Sequence, residues 1–174
     1  MRKTALMFAS ALSLSALLAA PDATAAPRAV QVSTPAPRTP ERKQILDAIR
    51  PSSGSQIRFI VHDLRVMKGK SANFAYASVE PSQQEYDGGE YILRNDGPKT
   101  KGGWRVIWAV TGGGANSCAD IAAYYRAIAK LLNAQGIAPD RLNPGHSKEE
   151  QNLSAAARED ADCNTVGDLG PAVD

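Results

Sequence analysis

Ile57-Arg58-Phe59-Ile60-Val61-His62-Asp63-Leu64-Arg65-Val66-Met67-Lys68 is the stretch whose reading decides the fold. Its β-branched and aromatic content predicts a strand. Phe59 and Val61 alternate on one face, but Leu64 and Val66 fall one position out of that register. In a period-two pattern, such a shift predicts a β-bulge at His62-Asp63. Lys68-Gly69-Lys70 then makes a hairpin turn. The chain returns through Ala72–Val79, with Phe74 and Tyr76 on one face and Ala75, Ala77 and Val79 on the other. After a polar loop over Pro81–Gly89, Glu90–Arg94 reads as a third strand. A long turn over Asn95–Gly103 leads to a fourth, Trp104–Thr111. Short connections predict an antiparallel meander.

Two helices flank it. Thr39-Pro40-Glu41 combines an N-cap, a proline suited to the first helical position and an acid that complements the dipole. Ile45, Leu46 and Ile49 follow at helical spacing, and Pro51 ends the element. The second helix, Cys118–Gln135, starts at an Asn116-Ser117 cap. It carries Cys118, Ile121, Ala122, Tyr125, Ile128, Ala129 and Leu132 at three- and four-residue steps, with Tyr124 leaning outward. Gly136 and Pro139 close it. Beyond His146 the periodicity fades into an acidic tail, within which Glu149–Asp160 could form a short exposed helix. The expected fold class is α+β: an N-terminal helix on a curved four-stranded antiparallel sheet, then a second amphipathic helix and the tail.

The first 25 residues have the grammar of an export signal. Arg2 and Lys3 precede an apolar run of about 16 residues, Ala5–Ala20, which is followed by the small-residue site Ala23-Thr24-Ala25. That run is shorter than the roughly 20 residues of a spanning helix, so no stable transmembrane anchor is expected. Cleavage near Ala25 leaves 149 of the 174 residues. They divide into a Pro-rich linker over 26–38, one domain over 39–146 and the tail over 147–174. Residues 26–110 hold 13 basic and 8 acidic side chains, and residues 111–174 hold 5 and 9. This near balance argues against a nucleic-acid binder, which carries a strong basic excess. In an oxidising exported setting, the two cysteines, Cys118 and Cys163, are most simply one disulfide. A reactive Cys118 thiol and an intermolecular bridge are the alternatives.

No motif names a reaction. His62 and Asp63 could act as a general base pair if the bulge made them converge on a cavity, with Tyr76 beside them. The ordinary alternative is a surface histidine and a solvated aspartate. Gly112-Gly113-Gly114 before a helix invites a phosphate cradle, but no P-loop lysine follows. A hinge between sheet and helix is the ordinary reading. Arg65, Lys68, Lys70, Lys99, Lys101 and Arg105 gather around hairpin ends, where they could attract an acidic partner or simply be solvated. Trp104 and Trp108, four apart, should share a strand face, as core or as a contact surface. His146 sits in a Pro-Gly turn, and no metal-ligand spacing or cofactor motif stands out.

Thr39–Pro51, Ile57–Val66 and Gly103-Trp104-Arg105-Val106 together resemble a recurrent class of small exported bacterial proteins. These have a helix followed by an antiparallel meander, broadly of cystatin-like or ketosteroid-isomerase-like type. The resemblance spans about residues 39–111 and implies a scaffold, since such scaffolds host enzymes, inhibitors and assembly modules alike. The expectation is a periplasmic or secreted, non-enzymatic binding module for an envelope protein or an anionic envelope component. The alternatives are a small-ligand binder or enzyme around His62 and Asp63, and an inhibitor or immunity-type protein presenting its hairpin loops.

Overall fold

The computed structural model describes residues 31–50, 56–83, 87–97 and 103–173. The segment read as an export signal, Pro51, Lys99 and Lys101 lie outside them. The fold is α+β, but the sheet has six strands rather than four. They are β1 (Val32–Ser33), β2 (Phe59–Lys68), β3 (Asn73–Pro81), β4 (Gly89–Asn95), β5 (Trp104–Ser117) and β6 (Asn164–Leu169). They lie side by side in chain order, antiparallel throughout. The two unexpected strands are the edges. Inside the segment read as a linker, β1 pairs only Val32 with Met67 and Ser33 with Val66, too short a run to show a period. In the segment read as a tail, β6 pairs with β5 through a glycine-interrupted sequence. Helix α4 (His146–Glu159) precedes it, and both are built into the domain.

Helices cover both faces of the sheet. On one side α1 (Pro40–Ile49) lays Ile45 and Ile49 against Leu64, Val66, Ala75, Ala77, Val79, Leu93 and Trp104. Thr39 caps it by accepting from the Arg42 amide, as its sequence predicts. On the other side α2 (Cys118–Ala134), α3 (Pro139–Leu142) and α4 cover Met67, Phe74, Tyr76, Ile92, Ile107 and Trp108. The alternation read from Ala72–Val79 thus serves two cores at once. Each strand residue faces one helical layer or the other.

Two bulges keep these faces in phase. Val61 pairs with Val79 and Asp63 with Ser78, leaving His62 as the extra residue, so Phe59, Val61, Leu64 and Val66 all join the core on the α1 side. A second bulge separates the tryptophans. Trp108 pairs with Ile92 but Val106 pairs with Leu93, and the extra Ile107 turns Trp104 toward α1 and Trp108 toward α2. The expected shared face is therefore corrected, and both rings are buried core. Spacing of four implies one face only on an unbroken strand.

The glycine run continues β5 rather than forming a loop. Gly114 has φ of +59°, and the Asp168 carboxylate stands where a β-carbon would be. Asp87 lies against Gly113 in the same way, and the Gly112 amide donates to Gly88 O at 2.9 Å. Two carboxylates over these glycines oppose a phosphate cradle there. The Cys118–Cys163 disulfide, with Cα atoms 5.5 Å apart, ties the start of α2 to the approach to β6. No described helix is long and apolar enough to cross a membrane.

Candidate functional site

A recess in which polar groups meet lies at the seam between sheet and helices. Glu90 of β4, Val110 of β5, Tyr125 of α2, the Asn143–His146 corner and Lys148, Glu149 and Asn152 of α4 enclose about 480 Å³. Glu90 stands two residues before Ile92 and so shares the face that meets α2. The corner is held by local chemistry. Gly145 takes φ of +85°, which a β-carbon would disfavour, and starts α4 without a capping side chain of its own. Asp140 of α3 supplies the cap instead, accepting from the Ser147 amide at 3.0 Å and from its hydroxyl. These bonds hold the Asp140 carboxyl below the usual carboxylate range. Arg126 then ties α2 to Glu150 of α4 at 2.7 Å and to Ser154 at 2.9 Å.

His146 is only 2% exposed. Its Nε2 donates to the Tyr125 carbonyl at 3.0 Å, which leaves Nδ1 as a bare lone pair with no partner. Burial pushes its pKa down, against the smaller opposing effects of the Tyr125 carbonyl, Asp140 and Glu150, so the ring is held neutral. Asn143, also 2% exposed, directs its side-chain amide at the Glu90 carboxyl. Buried polar atoms are satisfied in the great majority of cases, so the unpartnered His146 Nδ1 on a cavity wall is a signal. Burial pushes the Glu90 carboxyl up; the Tyr76 hydroxyl and Asn143 oppose that shift, and the charge of Glu149 adds to it. Tyr125 is held protonated by burial and then by the charges of Glu90 and Glu149. Its ring meets Trp108 edge-on at 5.0 Å and lies 4.9 Å from the imidazole of His146.

The residues singled out from sequence are dispersed. His62 is exposed and faces Glu80 at 3.3 Å, while Asp63 binds Arg65 at 2.9 Å, so the two do not converge. Tyr76 alone of that trio reaches the recess, through Glu90. Arg65 also reaches the Arg141 carbonyl, and Arg105 stands 3.7 Å from Asp96. Lys68 and Lys70 line a small hollow of about 160 Å³ with Asn95, Asp96 and Gly97, which brings two hairpin ends together. Trp104 and Trp108 are core. Tyr124, expected to lean outward, stacks on Trp108 with centroids 5.6 Å apart, donates to Pro171 O and accepts from the Ala109 amide.

Sequence reasoning missed Glu90 and His146. Glu90 had a signal, an acid in phase with Ile92 at the start of a strand. His146 had none, because a histidine after Pro-Gly reads as a turn. Among the described residues no group of three or more metal-ligating side chains occurs. Comparison with known proteins adds no relative: no family model, no curated protein and no solved structure matches the chain. The site must therefore be read from its own chemistry.

Proposed function

We propose that the protein is an exported, non-enzymatic binding module that takes a small ligand in the recess between Glu90 and the Asn143–His146 corner. One observation carries this reading. His146 Nδ1 is buried at the wall of a ligand-sized cavity with no hydrogen-bond partner, an arrangement that a bound molecule would relieve. The paired cysteines and the signal-like N-terminus support export. The helix-then-meander order fits the resemblance to small exported α+β proteins.

The test is a thermal-shift screen of the disulfide-intact protein against small polar compounds, with Asn152→Trp as the blocking control. Asn152 is exposed on α4 and lines the recess, so a tryptophan there fills it without entering the core. Compounds that raise the melting temperature of the native chain should fail on the variant. A screen in which no hit depends on position 152 overturns the proposal.

A second reading has one observation in its favour. A raised carboxyl at Glu90 and a neutral imidazole at His146 line the same cavity, a pairing suited to acid–base work. Turnover of a cavity-dependent hit, abolished by His146→Gln, would establish it over simple binding.

A further inference from the structure

Four described carboxylates are withdrawn from water without being fully buried: Asp63, Glu90, Asp96 and Glu150. Three have an arginine. Asp63 binds Arg65 at 2.9 Å, Asp96 binds Arg94 at 2.5 Å and stands 3.7 Å from Arg105, and Glu150 binds Arg126 at 2.7 Å. Glu90 has no ion pair among the described residues. The charge that acts on its carboxyl is that of another acid, Glu149, and Lys148 lines the same recess without pairing to it. A carboxylate kept partly out of water with no cation is costly, and a ligand cation would remove that cost. We propose that the recess binds a protonated amine, its ammonium group seated on Glu90 with His146 Nδ1 and Glu149 as further acceptors.

The proposal rests on the small-ligand reading above and names the ligand's chemical class. An ammonium group carries only donors, and the bare His146 Nδ1 lone pair is an acceptor without a donor. The Tyr125 side chain supplies an aromatic wall, which also suits a cation.

The experiment is calorimetric titration at neutral pH with matched triplets: phenylalanine amide and phenylalaninol, each with its N-acetyl derivative and its deaminated carboxylate counterpart. The amine member should bind best in each triplet. Glu90→Gln should weaken it roughly tenfold or more while leaving the neutral members unchanged, as expected when one partner of a desolvated charge pair loses its charge. Glu149→Gln should cost less, and Glu41→Gln on α1, across the sheet, should cost nothing. Preference for the neutral or anionic members, or an amine affinity indifferent to Glu90→Gln, overturns the ammonium assignment but leaves the small-ligand reading standing. Failure of every member to bind, together with no position-152-dependent hit in the wider screen, removes both.

Discussion

Removing the disulfide with the Cys118→Ala/Cys163→Ala pair perturbs one term of folding and leaves the rest in place. The bridge spans 45 residues and closes a loop that contains α2, α3 and α4. In the chain-entropy account, loop closure over that length is worth about 4 kcal/mol through the unfolded state. Native contacts around the bridge survive the substitution, since the Cys118 amide still donates to the Cys163 carbonyl at 2.9 Å and β6 still pairs with β5. The double variant should therefore fold into the same structure with a lower midpoint. Urea denaturation at pH 7, followed by far-ultraviolet circular dichroism, should show a stability loss of about 4 kcal/mol and a larger m-value, because the unbridged unfolded chain exposes more surface. A loss below about 1 kcal/mol with an unchanged m-value refutes the reasoning. It would mean that the unfolded chain is already restricted by contacts that the bridge merely duplicates.

Glu90→Gln should stabilise the protein, and the gain should depend on pH. The raised carboxyl binds a proton more tightly in the folded than in the unfolded chain, so its penalty is absent well below the ordinary glutamate value of about 4.5 and accumulates as pH rises through the folded value. Chemical denaturation at pH 3.5 should show the two proteins nearly equal, and at pH 7 the variant should be ahead; a gain of the same size at both pH values contradicts the assignment. Gly114→Ala should cost about 1 kcal/mol for the left-handed backbone alone, plus whatever is needed to move Asp168. In an Asp168→Ala background only the backbone part should remain, which a double-mutant cycle by thermal denaturation reads directly.

Much of the sheet was legible because its period is two and its two faces are both apolar. Phe59, Val61, Leu64 and Val66 show the first bulge in the residues themselves, since an out-of-phase hydrophobic pair has no other simple explanation. Ile107 hides the second, because Val106-Ile107-Trp108-Ala109 is apolar at every position and any register satisfies it. The edge strands were illegible for a different reason. A two-residue β1 has no periodicity, and β6 owes its place to pairing with β5 and to the disulfide beside it. The recess fared worst. It is assembled from β4, β5, α2 and the α3–α4 corner, which are close only after α4 has folded back onto α2, and His62 beside Asp63 drew attention merely by adjacency.

The bulge at Ile107 has a use beyond geometry. By sending Trp104 to the α1 layer and Trp108 to the α2–α4 layer, it places one intrinsic fluorophore in each of the two cores, and there are no other tryptophans in the chain. Trp108 has Tyr124 and Tyr125 against it, and Trp104 does not share that aromatic cluster. Single-tryptophan variants, Trp104→Phe and Trp108→Phe, would therefore report on the assembly of opposite sides of one sheet in separate optical channels.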